Sequence, residues 1–177
     1  SASGDVYVGE QREGIPHGRG IMRYSNGDVY DGEWRGGVRH GRATLRYASG
    51  DTFTGMFIAG QRAQGVGVME YANGARYEGE WAGDIPHGAG VRTEPNGDVY
   101  EGRWCIGVRE GQGILRTPNG RWMYEGAWTA NQPNGLGVAL YDNGDVVEGE
   151  WRAGVLQRVY RCGTAPSRPA AGQSLTE

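Results

Sequence analysis

Along most of the chain, apolar or aromatic residues alternate with polar ones in short segments bounded by glycine, as in Val29-Tyr30-Asp31-Gly32-Glu33-Trp34 and Gly20-Ile21-Met22-Arg23-Tyr24. A period of two is that of a β-strand with one face turned from water. Alternation places Gly20, Met22, Tyr24, Tyr30, Gly32 and Trp34 on one face and Ile21, Arg23, Val29, Asp31 and Glu33 on the other. The first face is aromatic and glycine-rich. The second carries Arg and Asp/Glu that can pair across strands in solvent.

The strands belong to a repeat. Tyr-x-Gly-x-Trp, or a close variant, occurs seven times: Tyr7-Gly9-Gln11, Tyr30-Gly32-Trp34, Phe53-Gly55-Phe57, Tyr77-Gly79-Trp81, Tyr100-Gly102-Trp104, Tyr124-Gly126-Trp128 and Val147-Gly149-Trp151. Successive copies are 23 or 24 residues apart. Between them lies a Gly/His signal, Gly14-x-x-His17-Gly18-x-Gly20, which decays along the chain to Asn134-Gly135-x-Gly137. A third signal is a turn tripeptide, Ser25-Asn26-Gly27 and its echoes at Ala48-Ser49-Gly50, Ala72-Asn73-Gly74, Pro95-Asn96-Gly97, Pro118-Asn119-Gly120 and Asp142-Asn143-Gly144. Each unit reads as strand, Gly/His loop, strand, tight turn. Ser, Ala, Pro or Asp before the Asn or Ser suits position i+1 of a type I turn, with Gly supplying the left-handed residue of a bulge, which gives a three-residue loop. That register sets Tyr30 opposite Met22 and Asp31 opposite Ile21. Glycine between two aromatics leaves bare backbone for a neighbouring ring to lie on.

With its Tyr-x-Gly-x-Trp, Gly-x-x-His-Gly-x-Gly and Asn-Gly signals, the chain resembles the MORN (membrane occupation and recognition nexus) repeat family over roughly residues 4 to 157. The resemblance implies an all-β fold, an elongated single-layer antiparallel meander of seven β-hairpin repeats with an aromatic-lined groove. It also implies the settings of that family: cytoskeletal, flagellar and ciliary scaffolds, and segments appended to some enzymes. Departures are Gln11 at the first Trp position, Asp84 and Asn131 at loop glycines, and one-residue insertions near Gln61 to Gln64 and Arg121 to Met123. The seventh unit lacks its Gly/His signal. Residues 1–162 are read as the array, its last unit incomplete or capping, and 163–177, rich in Pro, Ala, Ser and Gly, as a disordered or partner-bound tail.

Composition supports a repeat rather than an ordinary core, since 34 of 177 residues are Gly, against about 7% in typical domains. A net charge of -3 gives no electrostatic reason to expect nucleic acid. All 18 basic residues are Arg, which codon usage explains more readily than selection for anion binding. Cys105 and Cys162 form no ligand cluster and fit a reducing cytosol, and no run of residues is long and apolar enough to span a membrane.

Catalytic and metal readings fail on spacing. His17, His40 and His87 recur at equivalent positions about 10 Å or more apart, too far to share one zinc ion with ligands ~2 Å away. Glu10, Glu33, Glu80 and Glu150 read as solvated repeat positions. No cofactor, metal or catalytic residue is expected.

Fourteen strands about 4.8 Å apart form an array about 70 Å long. A single-layer sheet has no second layer of its own to cover its aromatic face, so strong curling, another copy or a partner must cover it, and a groove of such rings would accept a partner helix or extended peptide. The candidate groove is Tyr30, Trp34, Phe53, Phe57, Tyr77, Trp81, Tyr100, Trp104, Tyr124 and Trp128, with core packing the main role of most of these rings. Arg92 and Glu94, which replace the apolar pair seen at Met22 and Tyr24, mark either a polar specificity point or a mutual ion pair. The edge strands near Val6 to Glu10 and Val155 to Arg161 offer sites for homodimer or larger assembly. The function expected is a cytoplasmic, cytoskeleton-associated, non-catalytic protein scaffold. Alternatives are a phospholipid-binding membrane-surface module, disfavoured by the interspersed acids, and the targeting segment of a larger enzyme, raised by the missing initiator Met.

Overall fold

The computed structural model describes residues 4–118 and 122–164, which form one antiparallel sheet. Its strands run in chain order as hairpins: β1 (Val6–Arg12) with β2 (Ile15–Arg23), β3 (Val29–Arg35) with β4 (Val38–Arg46), and β5 (Thr52–Ile58) with the two-residue β6 (Gln61–Arg62) and β7 (Gly65–Glu70). Then come β8 (Arg76–Ala82) with β9 (Ile85–Thr93), β10 (Val99–Cys105) with β11 (Val108–Arg116), β12 (Trp122–Thr129) with β13 (Gln132–Tyr141), and β14 (Asp145–Arg152) with β15 (Val155–Thr164). The seventh unit is thus a complete hairpin, and its last strand runs two residues past the expected array boundary at 162. The rest of the expected tail, residues 165–177, lies outside the described residues, as do Asn119 to Arg121 of the fifth tripeptide turn and its insertion.

The tripeptide turns take the expected form. Gly27 N–H donates to Tyr24 O (3.0 Å), Tyr24 N–H donates to Asp28 O (2.9 Å), and Gly27 sits at φ +95°. Met22 accordingly faces Tyr30, and Ile21 faces Asp31. An Asp after the turn joins one unit to the next: Asp5, Asp28 and Asp51 accept from the backbone N–H of Ser25, Ala48 and Ala72 at 2.8–2.9 Å. The rung stops at Pro95 and Pro118, which have no N–H to donate.

The Gly/His segment differs from expectation. It is not a loop. The hairpin reverses earlier, in two residues such as Glu13-Gly14, Gly36-Gly37 and Ile106-Gly107, both at positive φ as type I′ turns require. His17 and Gly18 lie within β2 at a bulge, where Gly9 pairs with Gly20 and Gln11 with Pro16, so that His17, Gly18 and Arg19 oppose Glu10 alone. Type I′ geometry matches the twist of the flanking strands, and Gly18 at φ +67° lets the strand absorb the extra residues without leaving the sheet.

The core runs along the aromatic face. Gly9, Gly20, Gly32, Ala43 and Gly55 form part of a cross-strand row that continues through Gly79, Gly90, Gly102, Gly113, Gly126, Gly137 and Gly149. A Cβ at Gly79 would lie 2.4 Å from Gly90 Cα and 2.8 Å from Tyr77 Oη, so strand backbone and ring occupy the space a methyl needs. Gly79→Ala is therefore expected to destabilise the fold by about 1–3 kcal/mol or more, while Gly163→Ala, with open space around it, leaves stability unchanged in urea unfolding.

Candidate functional site

On the aromatic face, twelve rings form one continuous edge-to-face chain in the order Tyr7, Trp34, Tyr30, Phe57, Phe53, Trp81, Tyr77, Trp104, Tyr100, Trp128, Tyr124, Trp151, with centroids 4.9–5.8 Å apart and planes crossed at 75–89°. Most of the polar heads of these rings donate to backbone carbonyls. Tyr30, Tyr77, Tyr100 and Tyr124 donate to the carbonyl three residues ahead at 2.9–3.1 Å. The indoles of Trp34, Trp81, Trp104 and Trp128 donate to Gly20, Gly67, Gly90 and Gly113 of the preceding hairpin at 3.0–3.2 Å.

This corrects the expected groove. Tyr30, Trp34, Phe53, Phe57, Tyr77, Trp81, Tyr100, Trp104, Tyr124 and Trp128 are only 0–5% exposed, each flanked by one ring of its own unit and one of a neighbouring unit. They form a core. The accessible strip consists of partly buried side chains packed on that core: Met22, Tyr24, Tyr47, Tyr71, Leu115, Trp122, Tyr141 and Leu156.

Four arginines lie over the rings, and of these sequence reasoning singled out only Arg92. Arg39 stands 5.6 Å from the Phe57 centroid, Arg62 4.3 Å from Phe53, Arg92 5.1 Å from Tyr71 and Arg109 4.9 Å from Tyr100. Arg39, Arg62 and Arg109 share one repeat position, two residues past the hairpin turn, where Pro16, Pro86 and Pro133 stand in other units. A Pro-or-Arg alternation was the available signal. Arg92 and Glu94 pair with each other in a two-pronged contact (Nε to Oε1 2.7 Å, Nη2 to Oε2 3.2 Å), and Arg109 approaches the same carboxylate at 3.8 Å. The hydrogen bonds to Glu94 hold the Arg92 pKa above its ordinary value. The polar break in the strip is thus an internal ion cluster.

The glutamates also have a structural role that spacing did not reveal. Glu10, Glu33 and Glu80 accept from the backbone N–H of Arg19, Arg42 and Ala89 at 3.0–3.1 Å, closing the bulges that follow His17, His40 and His87. Tyr30 donates a second contact to the His40 carbonyl at 3.1 Å. The three histidines lie on separate hairpins. Glu150 accepts from the Tyr160 hydroxyl at 3.1 Å.

The sequence matches the MORN repeat over residues 7–29, 30–52, 53–76, 77–99, 100–120 and 124–146. The chain belongs to the MORN repeat family. Each matched repeat opens at the first aromatic of a unit, and the seventh hairpin follows the last match. No curated protein sequence matches the chain. Among solved structures, the SAS-4 (dCPAP) TCP domain of Drosophila melanogaster, in complex with a proline-rich motif of Ana2 (dSTIL), is 15% identical, with 84% of this chain and 72% of that chain covered and a TM-score of 0.42. The TCP10 domain of Danio rerio CPAP is 12% identical, with 83% and 89% covered and a TM-score of 0.27.

Burial pushes the phenol pKa of Tyr30, Tyr77 and Tyr100 up to about 12. Unfolding releases these phenols to ordinary values near 10, so below that pH both states keep the proton and stability does not depend on it. From pH 10 to about 12 the unfolded state binds fewer protons, and stability falls. Phenolate absorbance is expected to show a late, cooperative titration coincident with unfolding, and a simple titration of all tyrosines near pH 10 would contradict this core.

Proposed function

We propose that this MORN array is a non-catalytic protein–protein interaction scaffold that docks a partner helix or extended peptide along the strip above its ring core. The observation that carries the reading is the single sheet: among the described residues no second layer covers Tyr24, Tyr47, Tyr71, Leu115, Trp122 and Tyr141, which rest half-buried on the rings. Tyrosines already held by a rigid floor lose little side-chain entropy on binding. The buried rings fix the spacing of the strip, and the strip supplies the contacts. Arg92 and Glu94 would interrupt an apolar ligand in mid-strip, which favours a partner with a polar residue at that point.

The setting we propose is a cytoskeletal, flagellar or ciliary assembly, as the family resemblance implies. The edge strands β1 and β15, with Val6, Val8, Val159 and Tyr160 more than half exposed, are proposed as a second contact between copies.

A photo-crosslinking residue at Tyr71, in the full chain and in cells of its source, is expected to capture protein, while the same residue at Thr54 on the opposite face captures none. Tyr71→Glu should weaken the captured complex about tenfold or more without lowering the melting temperature. Capture from the opposite face alone, or of lipid alone, would remove the proposal.

A further inference from the structure

We propose that Arg39, in a cleft on the aromatic face, receives a carboxylate side chain of the docked partner segment, an assignment that rests on the scaffold reading above. The cleft has a volume of about 450 Å³ and lies across the second, third and fourth hairpins, with Leu45 and Phe57 as apolar lining and Arg39, Tyr47, Gln61 and Arg62 as its polar donors.

The repeat shows why Arg39 is the available cation. Arg39, Arg62 and Arg109 occupy one position in three hairpins, yet the latter two are matched by carboxylates. Arg62 Nε lies 3.1 Å from Asp84, and Arg109 Nη2 3.8 Å from Glu94. Asp84 stands in the turn of the hairpin after Arg62, and the residue at the corresponding place after Arg39 is Gly60, which has no side chain. Among the described residues no carboxylate lies within 4.0 Å of the Arg39 guanidinium. It lies near the Tyr30 and Phe57 rings, 5.8 and 5.6 Å from their centroids, and a planar guanidinium can donate two parallel hydrogen bonds to a carboxylate.

A second observation points into the same cleft. The Arg62 side chain is only 9% exposed, and its Nε, although close to Asp84, is not aligned for a hydrogen bond and has no other partner. Arg62 Nη2 donates to the Tyr47 hydroxyl, so the proton of that hydroxyl is free for an acceptor in the cleft. Both acids that line the cleft have partners of their own. Asp28 is occupied by the Ala48 N–H and the Asn26 amide, both at 2.9 Å, and Asp84 is a 79% exposed partner of Arg62.

The test is an NMR titration of the full chain with acetyl-Glu-Leu-Glu-Leu-Glu-amide, followed at the Arg39 and Arg62 Nε–H signals. Saturable shifts at both arginines are expected with this peptide and not with its Gln-for-Glu counterpart. Arg39→Gln should weaken the effect about tenfold or more with an unchanged melting temperature. Equal shifts with the Gln peptide, or no saturable shift with the Glu peptide, would overturn the assignment. Shifts produced by inorganic phosphate or phosphatidylserine vesicles but not by the Glu peptide would overturn it in favour of an anion or a headgroup. Crosslinks at position 71 that persist at full strength in Arg39→Gln would leave the scaffold standing and overturn the carboxylate assignment alone.

Discussion

The fold depends on the edge-to-face contact between the first aromatic of one unit and the Trp of the next. A sheet of this kind has no opposing layer, and its apolar face must be dried by its own residues. Each crossed pair contributes roughly 0.5–1.5 kcal/mol beyond the area it buries, and the chain of rings repeats it from Tyr7 to Trp151. The glycine row follows from the same contact. Tyr77 lies so low that a Cβ on Gly90 would come within 2.3 Å of its hydroxyl. Both polar heads then reach backbone carbonyls, the Tyr77 hydroxyl that of Glu80 and the Trp81 indole that of Gly67, so a buried phenol and a buried indole carry no unsatisfied donor.

Because each unit leans only on its neighbours, a departure in one unit can be repaired locally. The third unit has Phe53 where five others have Tyr, and lacks the phenol that would close on the Met56 carbonyl. Ala63 N–H donates to that carbonyl at 2.8 Å instead, from the irregular segment between β6 and β7. Asp84 and Asn131, which replace turn glycines, each clip onto the preceding hairpin, Asp84 at the Arg62 side chain and Asn131 Oδ1 at the Arg109 N–H (2.8 Å). The irregular units are therefore where a uniform ladder acquires local chemistry: charge, a cleft and an ion cluster.

Much of this was legible in the residues themselves. Period-two alternation and the spacing of Tyr-x-Gly-x-Trp determined the strands, the two faces, the meander and the register of Met22 against Tyr30, because a strand's side chains can face only two ways and a three-residue loop allows one pairing. Only the tertiary structure decided which aromatics are accessible. Whether a ring on the apolar face is open or covered depends on its tilt onto the neighbouring hairpin, a distance across strands that no periodicity encodes. The same holds for His17, placed inside β2 by a turn two residues long, and for Glu80, whose carboxylate meets a bulge N–H nine residues away. It holds for Arg39, whose freedom is set by the missing side chain at Gly60 on the next hairpin. Sequence spacing determined what each unit is, while contact between units decided what each side chain has left to offer.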